Sequence, residues 1–279
     1  MFINMLNKWR VASRILSRWG VRHFHLTLGI CCILAMALKL ISYFADPIVS
    51  RDAALYLHLA QTWFDTNRFE AMLGILNEFW ISPLHLFLIK NLMFTGISAE
   101  TAGIALNILL GSLLPFIGGK TVLEFSANKK AALLTALFIA VQPSFTAFSV
   151  EVQREIPYLF LTGCVIWSIT AWLCRRKWYL LCIGGALTGL AFLTRFESLE
   201  FFPMLALILA ILVFYRKLSV RQAVFNGTVF YFSAVVCILL FCLVLGILHP
   251  VHDYYSSYFK RKVTHLIHSP EKGTTEAGL

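Results

Sequence analysis

The sequence predicts an all-α, polytopic membrane protein with about seven transmembrane helices and amphipathic helices in the first external loop. Hydrophobic residues make up 59% of the 279 residues and charged residues only 14%, which is too little charge to cover a soluble domain of this length. Buried core helices are the alternative, but many apolar stretches without a polar face disfavour it. These stretches approach the roughly 20 residues that cross a bilayer: 24–44, 131–150, 157–174, 178–194, 201–215 and 225–248.

The N-terminal residues 1–23 are predicted to form a basic, amphipathic segment on the cytoplasmic side of the membrane. Positive charge favours both the inner leaflet and the cytoplasmic side. No cleavable signal-peptide pattern is found, so residues 24–44 are expected to act as an uncleaved anchor. The basic residues of this segment are Lys8, Arg10, Arg14, Arg18 and Arg22.

Lysines and arginines in short loops predict the orientation of the remaining spans. An odd number of spans must lie between the first span and the next basic cluster, and residues 101–118 supply one. Residues 84–94 are apolar but short and contain Lys90, which favours a re-entrant or interfacial helix; a true span is the alternative. The later basic clusters, all expected in the cytoplasm, are residues 120–130, 175–177 and 216–221.

This topology gives a transmembrane core at residues 24–248 with seven spans, an external loop at residues 45–100 and an external C-terminal tail at residues 249–279. We expect a plasma (inner) membrane location with the N-terminus in the cytoplasm and the C-terminus outside. The net charge of +10 does not indicate nucleic-acid binding, because the positive charge lies between apolar stretches. The seven cysteines have no metal-ligand spacing and are interpreted as packing residues.

Acidic residues are distributed unevenly across the predicted membrane. Of the fourteen Asp and Glu residues, the topology leaves only Glu124 in the cytoplasm. Membrane orientation depends on Lys and Arg and hardly on acids. The asymmetry therefore indicates that the outer face carries the chemistry, with ordinary solvated loops as the alternative.

A carboxylate lies at the start of an amphipathic helix predicted after the first span. Asp46-Pro47 ends the preceding helix, Ser50 is a suitable N-cap, and Asp52 lies in the first turn, where the helix dipole favours an anion. Tyr56 follows four residues later on the same face. Asp52 could accept a proton from a substrate hydroxyl; an ordinary helix-start acid is the alternative.

Two further external turns combine arginine with glutamate. The first contains Glu151, Arg154 and Glu155, and the second contains Arg195 and Glu197. Ionisable groups at a membrane edge usually pair or bind a ligand, and arginines suit a phosphate-bearing substrate. Interfacial ion pairs without a ligand are the alternative. No phosphate-binding loop, HExxH or GxSxG motif competes with these turns.

The order of these motifs resembles the GT-C type glycosyltransferases, in the branch of protein O-mannosyltransferases and lipid A aminoarabinose transferases. The chain departs from the family pattern at Ala53, where a second acid is common, at Ser82, where a proline is common, and in its short length. The likeness extends from about residue 25 to about residue 215 and rests on Arg51-Asp52, Ser82-Pro83-Leu84, Arg154-Glu155 and the turn from Gly189 to Glu197.

The resemblance implies a seven-span core and a sugar transfer outside the cytoplasm, from a polyprenyl-phosphate carrier to an acceptor hydroxyl. We expect inversion at the sugar, with Asp52 as the catalytic base. The expected partners are a polyprenyl-phosphate-linked sugar, a lipid, glycan or protein acceptor of the cell envelope, and membrane lipids. No cofactor is certain; a divalent cation could bind the carboxylates, although the branch is not expected to require one. The residues expected to bind the donor phosphate or sugar are Arg154, Glu155, Arg195, Glu197, Tyr56 and Glu151.

Two alternatives remain open from the sequence: a transporter or lipid-binding membrane protein, and a catalytically inactive GT-C-like scaffold. Transporters often have internal repeats and charges deep inside spans. The sequence shows no repeat, and Lys39 is the one clear charge well inside a full span. We expect its long side chain to extend to the outer interface.

Overall fold

The computed structural model describes residues 20–45, 50–73, 82–246 and the single residue Ser256. Most of the predicted basic segment (residues 1–19) and nearly all of the predicted external tail lie outside the described residues. Within them, every regular element is a helix, which confirms the all-α prediction. The elements are α1 Phe24–Ala45, α2 Arg51–Thr66, α3 Glu70–Leu73, α4 Pro83–Met93, α5 Ala99–Ser126, α6 Lys129–Val141, α7 Pro143–Val150, α8 Glu155–Arg175, α9 Trp178–Phe192, a 3₁₀ helix Phe196–Glu200, α10 Phe201–Phe214 and α11 Val220–Val244.

The helices are long and apolar enough for a multi-pass membrane protein. Among the described residues, five could each cross a bilayer: α1, α5, α8, Phe196–Phe214 and α11. The α6–α7 pair makes a sixth if it counts as one bent span. Helix α9 is apolar but has only 15 residues, so the count of seven stays a prediction.

The span predicted at residues 131–150 is broken, because α6 and α7 meet at an angle of 49°. Gln142, between them, has extended backbone angles of φ −66° and ψ 118°. It precedes Pro143, whose ring disfavours the helical conformation in the preceding residue and which lacks the N–H that a continuous helix needs. The proline therefore explains the break.

The segment between α1 and α5 contains the predicted amphipathic helix and a short buried one. Helix α2 begins where the sequence predicts, with Ser50 Oγ accepting a hydrogen bond from the Ala53 N–H at 3.2 Å. Helix α4 has 11 residues, a length of about 16 Å, which cannot cross a hydrocarbon core of about 30 Å. Its length therefore fits a re-entrant or interfacial helix.

Glycines bring the spanning helices into close contact. A side chain at Gly189 of α9 would place its Cβ 2.6 Å from the Ala234 carbonyl oxygen of α11. A Cβ at Gly185 would likewise clash with the backbone of Phe230. Small residues allow this kind of backbone approach in membrane helices. Helix α9 thereby packs on α11, while α5 packs on α1, α6 and α8.

The prediction that Lys39 extends to the outer interface is wrong. Its side chain is fully buried, and a Cβ at Gly111 would lie only 2.9 Å from its Cε atom. The missing side chain at Gly111 of α5 creates space in which the lysine stem packs inside the bundle. Among the described residues, the Lys39 Nζ atom has no hydrogen-bond partner.

Candidate active site

The turn between α7 and α8 is fixed by a buried asparagine of α5. Asn107 Nδ2 donates to the carbonyl oxygens of Glu151 at 2.6 Å and Gln153 at 2.8 Å. Gln153 Nε2 in turn donates to Ser50 Oγ at 3.4 Å and to the Glu151 carboxylate. These bonds join the start of α2, which carries Asp52, to the turn that carries Arg154 and Glu155.

A second set of bonds joins the start of α4 to the end of α9. Ser82 Oγ donates to the Thr194 carbonyl oxygen at 2.7 Å, and the Leu84 N–H donates to the Leu193 carbonyl oxygen at 3.2 Å. Arg154 Nη1 donates to the same Ser82 hydroxyl at 3.4 Å. Ser82, which departs from the family pattern, therefore links the two arginine-containing turns.

Arg195 is held by carboxylates from both turns. Its Nη1 atom lies 2.7 Å from Glu155 Oε1 and its Nη2 atom 2.6 Å from Glu197 Oε1, and Nε donates to Glu197 Oε2 at 3.2 Å. The guanidinium also lies 5.5 Å from the centre of the Tyr158 ring. The hydrogen-bonded Glu197 carboxylate raises the pKa of Arg195, so the guanidinium stays charged.

Asp52 and Tyr56 lie on the helix that meets these turns. Asp52 is exposed, in the first turn of α2, while Tyr56 is buried. Burial is the main reason that the pKa of Tyr56 is raised; the Arg154 charge opposes the rise, and the nearby Glu155 and Asp52 add to it. Tyr56 is thus close enough to the turn that carries Arg154 and Glu155 to interact with its charges.

His85 is a buried group that the sequence analysis did not select. It is completely buried in α4, and its ring meets the Tyr56 ring edge-on with 5.5 Å between centres. Burial and the charge of Arg154 lower the pKa of His85 to about 3, so its imidazole is neutral. The sequence feature that could have identified His85 is its position three residues after Ser82, which puts both residues on the same face of the helix.

The seven residues predicted for the site lie on three segments that hydrogen bonds join: the first turns of α2, the turn between α7 and α8, and the turn after α9. Their charges suit a phosphate and its sugar, because charged donors and acceptors surround one patch. The carboxylates of Glu155 and Glu197 are already bound to Arg195, which leaves them poorly suited to a divalent cation. No group of three His, Cys, Asp or Glu side chains in the described part of the chain could hold a metal ion.

Comparison with known families decides the relationship. The sequence profile of the dolichyl-phosphate-mannose-protein mannosyltransferase family matches residues 81–246, more than half of the chain. The chain belongs to this family. It is therefore a multi-pass membrane protein of GT-C glycosyltransferase type. No curated protein and no solved structure matches it significantly. The match contains Arg154, Arg195 and their glutamates but begins after Asp52 and Tyr56.

Proposed function

We propose that this chain transfers a sugar from a polyprenyl-phosphate carrier to an acceptor hydroxyl on the extracytoplasmic face, with inversion at the sugar. One observation carries the proposal. The Asp52 helix, the Arg154 turn and the Arg195 turn come from separate parts of the chain, yet they join in one cluster through Ser50, Gln153 and Ser82. Such a cluster offers a base and cations within one site.

Asp52 is the proposed general base. Its carboxylate is exposed in the first turn of α2, near the positive end of the helix dipole, and it would accept the proton of an acceptor hydroxyl. The acceptor oxygen then forms a bond to the anomeric carbon as the bond from that carbon to the phosphate oxygen breaks. Attack from the face opposite the phosphate inverts the anomeric configuration.

Arg154 and Arg195 are the proposed partners of the departing phosphate. Their charges are fixed before the reaction, and preorganised cations stabilise the negative charge that develops on a leaving group. Glu155 and Glu197 hold Arg195 through three of its five N–H groups, which leaves two donors for phosphate oxygens. We assign sugar-hydroxyl contacts to Tyr56 and Glu151, which border the same patch.

The difference in charge between the two ends of the helical bundle supports an extracytoplasmic site. The end opposite to the cluster carries the basic residues of the short loops, and there Arg175 binds Glu124 at 2.6 Å. Short basic loops favour the cytoplasm, which leaves the Asp52 cluster outside. The N-terminus of α1 then lies in the cytoplasm.

The proposal is tested by transfer of labelled sugar from a panel of polyprenyl-phosphate sugars in membranes. We expect Asp52→Asn to abolish transfer at equal protein level. Asp65→Asn is the matched control, since Asp65 is an exposed carboxylate at the far end of α2 and should leave transfer unchanged. Equal transfer by wild type and Asp52→Asn would exclude Asp52 as the base. A wild type without transfer from any donor would favour an inactive scaffold.

A further inference from the structure

An apolar groove lies between α4, α9 and α11. Its volume is about 710 Å³, within the range of about 300–1,000 Å³ that is usual for ligand sites. Its walls are almost entirely hydrophobic, and it is broadly open on one side. Residues that line it include Phe87, Cys182, Ala186, Leu190, Phe241 and Leu245.

A polar cavity of about 260 Å³ borders this groove. Val244 and Leu245 line both spaces, so one molecule can occupy them together. The residues that line the polar cavity include Lys90, Arg68 and Glu70. Two cations against one carboxylate leave the cavity with a net positive charge.

Lys90 is held in place at this cavity. Its side chain is 8% exposed, its Nζ atom donates to Asn67 Oδ1 at 2.6 Å, and it lies 5.0 Å from the centre of the Trp63 ring. An ammonium group has three donors, and the Asn67 bond uses one of them. Lys90 is therefore a preorganised cation at the end of an apolar groove.

We propose that this combined space binds an anionic phospholipid of the bilayer, with an acyl chain in the groove and the phosphate head group at Lys90 and Arg68. Lysine and arginine form charge-assisted hydrogen bonds with phosphate groups, and the hydrophobic groove favours a lipid over a free anion as the ligand. This site lies at the C-terminal end of α4, eight residues from Ser82 and about 12 Å along the helix. It is thus separate from the phosphate site proposed above and does not require that the chain transfers sugar.

The test measures lipid retention by the purified full chain with native mass spectrometry. Dioleoyl phosphatidylglycerol is compared with zwitterionic dioleoyl phosphatidylcholine. Wild type should prefer the anionic lipid, and Arg68→Gln and Lys90→Gln should each weaken that preference about fivefold. Ala186→Phe, which fills the groove, should reduce binding of the anionic lipid. Lys217→Gln removes an exposed cation elsewhere and should leave the preference unchanged.

Glu70→Gln distinguishes head-group binding from a purely structural role of Lys90. Removing this carboxylate makes the cavity more positive, so the proposal expects tighter binding of phosphatidylglycerol. Equal retention of the two lipids by wild type, or an unchanged preference in the Arg68 and Lys90 variants, would overturn the proposal. Displacement by inorganic phosphate alone would also overturn it, because the groove would then be unnecessary. Displacement by a polyprenyl phosphate in preference to phosphatidylglycerol would assign the site to the sugar carrier instead.

Discussion

Replacing Asn107 with alanine should destabilise the protein and disrupt the proposed site together. Asn107 is fully buried and donates to two carbonyl oxygens of the turn before α8, at 2.6 and 2.8 Å. Side-chain hydrogen bonds between membrane helices are worth about 0.6 kcal/mol on average and up to about 1.7 kcal/mol. Loss of both bonds should therefore cost about 1–3 kcal/mol. The turn also carries Arg154 and Glu155, and a 1 Å displacement of a positioning group can reduce a reaction rate by about 100-fold.

Ser112→Ala is the matched control, since Ser112 is buried on the same helix and, among the residues that the structure describes, bonds only to the Ile108 carbonyl oxygen of that helix, at 2.6 Å. Unfolding in mixed micelles gives the stability of each variant, and labelled-sugar transfer gives its activity. Asn107→Ala should lose clearly more than Ser112→Ala in both measurements. Equal losses would refute the idea that Asn107 positions the turn.

Three further perturbations have defined outcomes. Gly189→Val should lower the stability measured by thermal unfolding by about 1–3 kcal/mol, because the larger side chain overpacks the contact. Gly29→Ala should not destabilise the protein, since Gly29 has open space around it. Equal effects of the two substitutions would exclude tight packing of α9 on α11. Folding lowers the pKa of His85 to about 3, so between pH 6.5 and 3 the unfolded chain binds a proton at this residue more readily than the folded chain does. Wild type should therefore lose stability as the pH falls through this window, and His85→Phe should lose less. A parallel pH dependence of the two proteins would contradict this. Arg195→Lys keeps the charge but loses the fork geometry of the guanidinium, and it should reduce the transfer rate by about 100-fold or more. Arg175→Lys, at the opposite end of the helices, should have little effect. Similar transfer rates in the two variants would refute the role of Arg195.

The all-helical membrane fold could be predicted because long apolar stretches have few other stable arrangements. The broken span at Gln142 was not predicted, because the length and hydropathy of an apolar stretch do not show that Pro143 disfavours the helical conformation in the residue before it. The burial of Lys39 was missed for another reason. A long side chain near a span end usually extends to the interface, and only the neighbouring helix, with Gly111 in place of a larger residue, provides an interior space.

The charged residues of the candidate site could be selected from the sequence because the predicted topology puts their turns on the same side of the membrane. The hydrogen bonds that join these residues could not be predicted from the sequence. The Ser82–Thr194 bond joins residues 112 positions apart, and the Asn107 bonds cross from the interior of a predicted span to a turn. His85 looked like part of an apolar helix, and its contact with Tyr56 depends on how α2 and α4 pack.

Inverting sugar transfer at the Asp52 cluster can be tested most directly with the purified chain in liposomes. The donor is a polyprenyl-phosphate sugar labelled with ¹³C at the anomeric carbon, and the reaction is followed by NMR in the presence of candidate acceptors. The donor signal should decay while a product signal of the opposite anomeric configuration appears, and Asp52→Asn should show neither change. A product with retained configuration, or equal turnover by the Asp52→Asn variant, would contradict it.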